Sequence, residues 1–365
     1  MWKAHERFKT KEILENMKRF GNLYEKIYDI ENIRMAHHKA RLGKAHYSDV
    51  RMVNSNEDYY CQKIHEMLKN ETYEVDLSKY IYMKIIDKGK ERDIYKLPYY
   101  PHRIIQWAIM LQLEPIFKKM FIHDTYASIK GRGIHDAVVR INRAMRDKEG
   151  TKYCLKIDVK KYYPSINNHI LYNLLKRKFK DPKLLRLLKK IVFSMGDKGQ
   201  PIGSLWSQYA GNFYLSKFDH WLKEEKGVKY NWRYCDDMVI LHHNKEYLQL
   251  LLIEIKEYLK NNLDLNLKKN FQVFPSTTRG IDFLGYRFFG DYVLLRKRTV
   301  KKMKKQLVQY RMKEFLSYNE SCSVMSYLGW ILPCNSYRLK EKYFKPLNDK
   351  LYFDFKGDLQ VLKIL

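Results

Sequence analysis

Between residues 231 and 241 the chain reads Asn231-Trp232-Arg233-Tyr234-Cys235-Asp236-Asp237-Met238-Val239-Ile240-Leu241. Apolar and aromatic residues surround two adjacent carboxylates. Neighbouring acids repel each other and resist burial, so a fold that places them between buried strands usually gives them a cation. The pattern predicts two antiparallel strands joined by a tight turn, with Asp236 and Asp237 at its tip. Taken alone, the pair is also explained by a plain hairpin, and a third carboxylate on another strand would favour a cation site.

A third carboxylate is predicted at the end of an earlier strand. Residues 151–159 alternate in the manner of a strand, and Asp158 stands near its end, just before a turn into a helix. Two-metal phosphoryl transfer needs carboxylates from different strands to converge on cations about 3.5–4 Å apart. Asp158 and Asp236 supply that minimum, with Asp237 beside them. Hard oxygen ligands of this kind favour two Mg2+ ions, with Mn2+ as the alternative.

The composition favours a protein that binds nucleic acid. The 365 residues include 70 Lys+Arg against 41 Asp+Glu, a formal net charge of +29, and 15% are aromatic. A surface this basic needs a polyanion or repels itself, and stacking rings suit unpaired bases. The alternative is a solvated basic protein encoded by an AT-rich genome. With 45% hydrophobic residues the chain is expected to bury a large core rather than to be disordered.

The cysteines and the apolar segments of the chain predict a protein of a reducing compartment that is not inserted in a membrane. The chain has five cysteines, an odd number, and none forms a Cys-x-x-Cys pair, so neither a disulfide framework nor a zinc site is expected. The N-terminal sequence lacks the apolar stretch of a signal peptide, and no apolar run is long enough to span a membrane. We therefore expect a cytoplasmic protein that does not bind a membrane.

Helices are predicted for most of the first 75 residues. One helical face is predicted from the i, i+4, i+7, i+10 spacing of Ile13, Met17, Phe20 and Leu23. A basic patch at 36–44 contains His37 and His38, which we expect to face RNA or solvent rather than to bind a metal. A later helix around 104–116 is apolar over most of its girth and is expected to be buried.

Two hairpins, a loop and a basic helix are predicted further along. Residues 81–94 alternate around a turn at 87–90 and predict a hairpin. Its lysine and arginine side chains are expected to bind a triphosphate, and the alternative is that they are ordinary edge-strand cations. Residues 283–288 and 292–295 predict a second hairpin. A Gly/Pro loop at 199–203 enters a helix whose small residues let substrate, template or another strand pass closely: Ser207, Ala210 and Gly211. The helix around 300–313 has an apolar stripe and a basic remainder suited to a duplex backbone.

In combination these motifs identify a family. Tyr234-Cys235-Asp236-Asp237 resembles the Tyr-x-Asp-Asp box of reverse transcriptases, and residues 155–166, from Leu155-Lys156-Ile157-Asp158 to Pro164-Ser165-Ile166, resemble their first catalytic motif. Lys90-Glu91-Arg92 and Arg103-Ile104-Ile105-Gln106 are similar to the fingers, and Phe283-Leu284-Gly285-Tyr286 is similar to the primer grip. The resemblance implies an α+β right-hand polymerase. Its parts would be N-terminal helices and fingers at 1–150, a palm with an antiparallel sheet at 151–290, which contains a fingers insertion at about 165–200, and a helical thumb at 291–365.

The loop-helix motif resembles one branch of that family. Ile202-Gly203 and Ser207-Gln208 stand where group II intron types usually carry Gln-Gly and Ser-Pro, and they look like the reverse transcriptases of diversity-generating retroelements. Ser326-Tyr327-Leu328-Gly329-Trp330 is similar to the thumb of that group. The resemblance implies copying of a template RNA into cDNA with frequent errors at adenines, through a cDNA/RNA hybrid and with a small basic oligomeric accessory protein. Because Ile lacks the hydrogen bond that Gln offers, we hypothesise that Ile202 lowers fidelity; the alternative is that it merely packs.

The resemblance also implies roles for single residues. Asp158 and Asp236 are expected to bind both metal ions, with Val159 and Asp237 in the same site. Tyr163 corresponds to the bulky residue that excludes a ribose 2′-hydroxyl, so dNTPs are the expected substrates. The other residues expected to bind nucleotide are Arg92, Lys90, Lys84, Val159, Ile202, Gly203 and Gln208. Either Lys269 or its neighbour Lys268 would protonate pyrophosphate. Primer and template contacts are expected from Tyr234, Cys235 (where Ala or Val is commoner), Phe283, Leu284 and Gly285.

Two other functions are compatible with the sequence. A defence-associated reverse transcriptase acting against phage would share the same catalytic residues. A non-catalytic RNA-binding scaffold that retains the polymerase fold is the second alternative. The intact carboxylates Asp158, Asp236 and Asp237 argue against that scaffold.

Overall fold

The structure, a computed structural model, describes residues 19–87 and 89–352. Its α-helices are α1 (Tyr24–Tyr28), α2 (Ile30–Ala40), α3 (Ser48–Ser55), α4 (Glu57–Lys69), α5 (Ile104–Met120), α6 (Ile134–Ala144), α7 (Tyr162–Ser165), α8 (Asn168–Lys178), α9 (Pro182–Val192), α10 (Leu205–Tyr214), α11 (Ser216–His220), α12 (Lys245–Leu263), α13 (Ser276–Arg279), α14 (Lys297–Arg311), α15 (Tyr318–Ile331) and α16 (Tyr337–Leu339). Short 3-10 or π-helical segments cover Leu77–Lys79, Tyr99–Arg103, Phe193–Met195, Trp221–Glu225, Lys340–Phe344 and Lys345–Lys350.

The strands are β1 (Ile81–Asp87), β2 (Lys90–Lys96), β3 (Thr125–Tyr126), β4 (Tyr153–Asp158), β5 (Tyr230–Tyr234), β6 (Asp237–His242), β7 (Gln272–Pro275), β8 (Ile281–Phe283), β9 (Tyr286–Phe288) and β10 (Val293–Leu295). Strands and helices together confirm the expected α+β class.

The chain forms two compact units. Of the described residues, the first unit comprises those up to Ile122, together with Val159–Lys226 and Ile255–Lys268. The second comprises His123–Asp158, Gly227–Glu254 and the described residues from Lys269 onward. The expected division at residues 150 and 290 stays a prediction.

A five-stranded sheet organises the second unit, with the strand order β3-β5-β6-β4-β7. β6 lies between β5 and β4 and is antiparallel to both, β7 is antiparallel to β4, and β3 pairs in parallel with β5 at the opposite edge. Met238 to Leu241 in β6 are all buried. A continuous apolar run of this kind is typical of a central strand covered on both faces.

One buried cluster connects this sheet with helices of the same unit. It includes Val138 on α6, Val239 on β6, Met303 and Leu307 on α14, and Leu328 on α15. The apolar stripe predicted on the helix around 300–313 is therefore buried. The remaining surface of α14 carries lysines such as Lys301, Lys302 and Lys305, which are exposed.

The predicted hairpin at 283–295 is part of a three-stranded sheet with the order β10-β9-β8. β9 and β10 pair around Gly290 as predicted. The interpretation of 283–288 as one strand is wrong, however, because Leu284 and Gly285 have φ angles of 54° and 91°. Two successive residues with positive φ cannot continue an extended strand, so the chain reverses and Phe283 pairs with Tyr286.

Helix α5 lies at the centre of the first unit. Ile104, Ile105, Ile109, Leu113 and Phe117 are all buried on it. Their positions cover most of the helix circumference, as the sequence predicted, and α5 packs against α1, α2 and α10.

The prediction of N-terminal helices is confirmed from Tyr24 to Lys69 by α1 to α4. Ile13 and Met17 of the predicted helical face lie outside the described residues. Phe20 is not helical and forms an isolated bridge with Phe179.

The expectation that His37 faces RNA or solvent is wrong. His37 is fully buried, its Nδ1 lies 2.7 Å from the Tyr99 hydroxyl, and its Nε2 lies 3.5 Å from the Glu57 carboxylate. Burial lowers the pKa of His37 and favours the neutral ring. His38 stays exposed because successive helical residues point about 100° apart.

Two further features of the described residues concern membrane-spanning helices and cysteines. In that part of the chain, no helix combines the length and the apolarity that crossing a bilayer requires. All five cysteines also lie there, and each is a free thiol.

Candidate active site

The three predicted carboxylates reach one edge of the five-stranded sheet. Asp158 ends β4 and is the cross-strand partner of Asp237, the first residue of β6. Tyr234 pairs with Asp237 across the β5–β6 hairpin, which leaves Cys235 and Asp236 as its turn. The expectation that both acids sit at the tip is therefore correct for Asp236 only. Asp237 is instead the first residue of β6. Because it is the cross-strand partner of Asp158, its side chain lies on the same face of the sheet as that of Asp158.

A buried arginine holds the turn in place. Cys235 has a φ of 53°, as a tight two-residue hairpin requires of its first turn residue. The Nη1 of Arg233 donates a hydrogen bond of 3.0 Å to the Cys235 carbonyl, and the backbone N–H of Arg233 donates to the Asp124 carbonyl at 3.0 Å. Arg233 is only 1% exposed. Sequence reasoning missed this residue, although an arginine inside an apolar run next to paired acids was the available signal.

The environment of Asp237 favours a cation. Its Oδ1 is buried and accepts no hydrogen bond, and the Lys156 ammonium lies 3.7 Å from that oxygen. Burial raises the pKa of Asp237 to about 6, the charge of Lys156 opposes this, and the neighbouring charge of Asp158 adds to it. A second positive charge near Asp237 would stabilise its ionised form, and so offset both the cost of burying that charge and the repulsion from Asp158.

Lys156 belongs to a wider charged network that the sequence did not reveal. It lies two residues before Asp158 on β4, and its Nζ also donates to the Asp282 carbonyl. The Asp282 carboxylate accepts a hydrogen bond of 2.9 Å from the Nε of Arg296. Lys156 thus lies next to Asp237, and Arg296 is linked to Lys156 through Asp282. The alternation of β4 was the only sequence signal, since it placed Lys156 on the same face as Asp158.

Within residues 19–87 and 89–352, no group of three or more His, Cys, Asp and Glu side chains is arranged to hold a metal ion. The sheet register brings Asp158, Asp236 and Asp237 to one edge, but the Asp237 side chain faces Lys156. The donors still fit a hard divalent ion, because they are carboxylates and one of their oxygens is buried without a hydrogen bond. Asp158 and Asp236 would hold such an ion, with Asp237 in support.

In the first unit, the predicted triphosphate hairpin is joined to the predicted nucleotide loop. β1 and β2 pair along their whole length, which confirms the hairpin, and Lys84 and Arg92 are both exposed on it. The backbone N–H of Tyr95 on β2 donates a hydrogen bond of 3.1 Å to the Ile202 carbonyl. Lys90 starts β2, but its side chain lies outside the described part.

Gly203 is required by this junction. Its φ is 111°, and a Cβ placed there would lie 3.2 Å from the Tyr95 carbonyl oxygen. Ile202 beside it is half-buried. The backbone of the loop is thereby fixed against the strand that carries Arg92.

Gln200 holds the loop in place through hydrogen bonds of its side chain and its backbone. Its Nε2 lies 2.8 Å from Asn168 Oδ1 and 2.9 Å from the Val192 carbonyl, and its Oε1 accepts from Trp206 Nε1 at 3.1 Å. Its backbone N–H donates to the Tyr163 carbonyl at 3.0 Å. Gln200 therefore links the loop to the segment that carries Tyr163. The sequence predicted only that this residue belongs to a Gly/Pro loop.

Three other predicted residues of the first unit are placed as follows. The Val159 side chain is fully buried, so only its main chain is available to a ligand. Gln208 is half-buried on α10. Lys268 follows the bridge between Val159 and Leu267 and is half-buried.

The predicted primer-grip motif of the second unit is a tight turn held by two other residues. Phe283 is fully buried, so only Leu284 and Gly285 present surface. A Cβ at Gly285 would lie 2.9 Å from Trp330 Cζ3, and the Gly285 carbonyl accepts from the backbone N–H of Arg296 at 2.8 Å. Sequence reasoning had not connected Trp330 with this turn. Lys269, in the same unit, is exposed in the turn after Leu267.

Comparison with known proteins gives a family and several distant relatives. The family model described as "Reverse transcriptase (RNA-dependent DNA polymerase)" matches residues 83–288, more than half of the chain. Retron Ec73 reverse transcriptase of Escherichia coli is 26% identical over 280 residues, which cover 71% of this chain and 85% of that protein. Protein YkfC of Escherichia coli (strain K12) is 25% identical over 254 residues, 58% of this chain and 65% of YkfC.

Other similar proteins are longer or more distant. The group II intron-encoded protein LtrA of Lactococcus lactis is 24% identical over 250 residues, 64% of this chain but only 41% of LtrA. The chain thus spans less than two thirds of YkfC and less than half of LtrA. Among solved structures, apo telomerase from Candida tropicalis aligns with a TM-score of 0.46 at 12% identity, covering 86% of this chain and 66% of that chain.

The family match covers both the strand that ends in Asp158 and the hairpin that carries Asp236 and Asp237. It confirms the expected polymerase fold class. This chain belongs to the reverse transcriptase (RNA-dependent DNA polymerase) family.

Proposed function

We propose that the protein is an RNA-directed DNA polymerase that copies an RNA template into cDNA by two-metal nucleotidyl transfer. The observation that carries the proposal is the register that sets Asp158 opposite Asp237, with Asp236 in the adjoining turn. Carboxylates on different strands that meet at one sheet edge are the arrangement this chemistry needs. The printed names of the relatives, a retron reverse transcriptase and an intron-encoded protein, point in the same direction.

In this proposal Asp158 and Asp236 hold two Mg2+ ions, and Mn2+ is the alternative. Asp237 supports them, and Val159 contributes its carbonyl, since its side chain is buried. When bound, the ions supply charge stabilisation for the attacking hydroxyl and the leaving pyrophosphate. Lys156 and Arg296 keep positive charge beside the acids. Lys269 or Lys268 donates the proton to pyrophosphate.

The nucleotide is bound by residues of the first unit. Arg92, with Lys84 or Lys90, holds the triphosphate through charge-assisted hydrogen bonds. Tyr163 excludes a ribose 2′-hydroxyl, so dNTPs are preferred to NTPs. Gly203, Ile202 and Gln208 shape the remainder of the nucleotide site.

Nucleic acid is bound by the second unit and by the basic surface. Tyr234, Cys235, Leu284 and Gly285 contact the primer end and the template. The exposed lysines of α14 follow the backbone of the cDNA/RNA hybrid, in keeping with the formal net charge of +29. In this proposal residues 1–150 provide N-terminal helices and fingers, 151–290 the palm and 291–365 the thumb.

A finer assignment, to the error-prone enzyme of a diversity-generating retroelement, is supported by Ile202. Its side chain cannot hydrogen-bond, and its carbonyl is bonded to Tyr95 on the strand that carries Arg92. An apolar residue fixed at this place would remove a polar check on the incoming base. In that setting a small basic oligomeric protein would assist copying, and the five free thiols suit the reducing cytoplasm.

A second candidate is a defence-associated reverse transcriptase. The similarity to a retron reverse transcriptase over 71% of the chain favours it. The two candidates differ in product. A diversifying enzyme makes cDNA with scattered changes at template adenines, whereas some defence enzymes make untemplated or repetitive DNA.

The experiment is incorporation of dNTPs on a defined RNA template with a DNA primer and Mg2+, followed by sequencing of the cDNA that copurifies with the protein. Incorporation that requires Asp236 supports the proposal. Tight RNA binding without incorporation would instead identify a non-catalytic scaffold. The positions of errors in the copurifying cDNA then separate the diversifying enzyme from the defence enzyme.

A further inference from the structure

Helix α10 passes very close to the segment that follows β4, and a glycine makes the approach possible. A Cβ at Gly211 would lie 3.1 Å from Cε1 of Tyr163 and 3.3 Å from Cε1 of Tyr162. Both distances are shorter than ordinary van der Waals contact, so any side chain at 211 forces a ring to shift. The sequence left the small-residue side of this helix open to substrate, template or a strand, and at Gly211 that side faces two tyrosine rings.

Tyr162 cannot make that shift. It is 3% exposed, and its hydroxyl donates a hydrogen bond of 2.5 Å to the Gly211 carbonyl. The two tyrosine rings are 5.4 Å apart at an angle of 50°. The Tyr163 ring therefore rests on Gly211 on one side and on a fixed ring on another.

The backbone of Tyr163 is fixed as well. Its carbonyl accepts the hydrogen bond from the Gln200 N–H at 3.0 Å, and the Gly199 N–H donates to the Ile166 carbonyl at 2.8 Å. Tyr163 is only partly buried. Because its backbone is held in place, a Cβ at position 211 would displace the ring away from α10.

We propose that Gly211 is a positioning residue for sugar selection: by lacking a Cβ it lets the Tyr163 ring stand close to α10 and so sets the clearance left for the ribose. This inference rests on the proposed role of Tyr163 as the residue that meets the 2′ position. Gly211 itself touches no substrate. A glycine is a poor helix former, and at a buried position of α10 alanine would be preferred unless the missing Cβ mattered.

The test compares Gly211→Ala with a matched control, Gly329→Ala. Gly329 also lies inside a helix, α15, but a Cβ there meets nothing within 4 Å. Both substitutions replace a helical glycine by alanine, and only the one at 211 places a Cβ against the tyrosine rings. Single-nucleotide incorporation is measured with a dNTP and with the matching rNTP, giving kcat and KM for each.

In Gly211→Ala the displaced ring narrows the sugar site. KM is expected to rise for both nucleotides and more for the rNTP, so that selectivity for the dNTP increases by about tenfold, the lower end of what one added carbon does in a pocket. Gly329→Ala lies in the predicted thumb motif and should leave the ratio of kcat/KM for the dNTP to that for the rNTP unchanged. An equal ratio in the two variants would overturn the inference while leaving the polymerase proposal intact.

A double variant keeps the result interpretable. Tyr163→Ala should lose sugar selectivity. Adding Gly211→Ala should then change the ratio of dNTP to rNTP incorporation no further, since the other ring near the new Cβ, Tyr162, is buried and does not meet the sugar in this proposal. If Gly211→Ala alone does not fold, rescue of folding by Tyr163→Ala supports the contact, and failure of rescue counts against it. Absence of any incorporation by the unmodified protein would instead defeat the proposed function itself.

Discussion

Asp158, the last residue of β4, lies directly across the sheet from Asp237, the first residue of β6. Cross-strand partners share one face of a sheet, so two carboxylates separated by 79 positions in sequence become neighbours. Burial raises the pKa of Asp237, and repulsion from Asp158 raises it further. The positive charge of Lys156 lowers this pKa but offsets the rise only in part. A divalent ion bound at this edge of the sheet would offset that repulsion and so stabilise the folded chain.

Replacing Asp236 by Asn should abolish nucleotide incorporation without unfolding the protein. Asp236 lies in a half-exposed turn, so the amide is tolerated, but it is a much poorer metal ligand. Loss of several kcal/mol of charge stabilisation corresponds to a fall in kcat of at least about a hundredfold. Primer extension measures this. Asp291→Asn, in another exposed turn where the acid pairs with Lys148, is the control and should retain full activity. Activity within tenfold of the unmodified protein in Asp236→Asn would refute the site assignment.

Magnesium should stabilise the protein more at pH 7.5 than at pH 5.5. Because the pKa of Asp237 rises from 3.8 to about 6 on folding, its contribution to stability is complete below the unfolded value and is lost as pH rises through 6. Above pH 6 the ionised carboxylate is destabilising and ready to bind a cation. Thermal unfolding with and without Mg2+ checks this.

The matched variant for that measurement is Asp237→Asn, which cannot ionise. Its response to Mg2+ should be smaller and should no longer change between pH 5.5 and 7.5. A pH-dependent magnesium effect of unchanged size in this variant would show that Asp237 is not the titrating group.

Ile202→Gln should raise fidelity. A glutamine restores a polar contact near the incoming nucleotide, and one such contact is worth roughly 1–3 kcal/mol, about one to two orders of magnitude in discrimination. Sequencing of cDNA made on a defined RNA template measures the error spectrum, and Ile202→Leu is the apolar control. An unchanged spectrum in Ile202→Gln would mean that Ile202 only packs.

Gln200→Ala should destabilise the first unit by about 2–3 kcal/mol, because it leaves Trp206 Nε1 and Asn168 Oδ1 without the side-chain partner they have now. Since Gln200 also precedes Ile202, KM for dNTPs should increase in the same variant. Chemical denaturation and steady-state kinetics test both effects. The control is Gln249→Ala, at an exposed position of α12, which should change the free energy of unfolding by less than about 0.5 kcal/mol.

RNA binding should weaken steeply with salt. Each phosphate contact releases about one counterion, so the slope of log K against log salt reports the number of contacts. Neutralising Lys301 and Lys305 on α14 should reduce that slope by about one each. Lys63→Gln, where the lysine already pairs with Glu66 on α4, should leave it unchanged. A flat salt response of the unmodified protein would contradict the electrostatic interpretation of its charge.

The sequence predicted local elements well where one pattern ran uninterrupted. β4, β6, the β1–β2 hairpin and α5 all follow from periodicity in apolar residues. It failed at β8–β9, where the positive φ of Leu284 carries no composition signal, and at His37, where burial depends on Tyr99 from a distant segment.

By itself, the sequence determined which residue types are present and in what local order: the strand ending in Asp158, the Asp236-Asp237 pair and the loop before α10. Only the tertiary structure decided that Asp237 faces Lys156 rather than the turn tip, that Gln200 ties the loop before α10 to Tyr163, and that Gly211 leaves room for that ring. The physical reason is range. Helix and strand periods arise from neighbours a few residues apart, whereas register, burial and pKa depend on groups that meet only when distant segments pack.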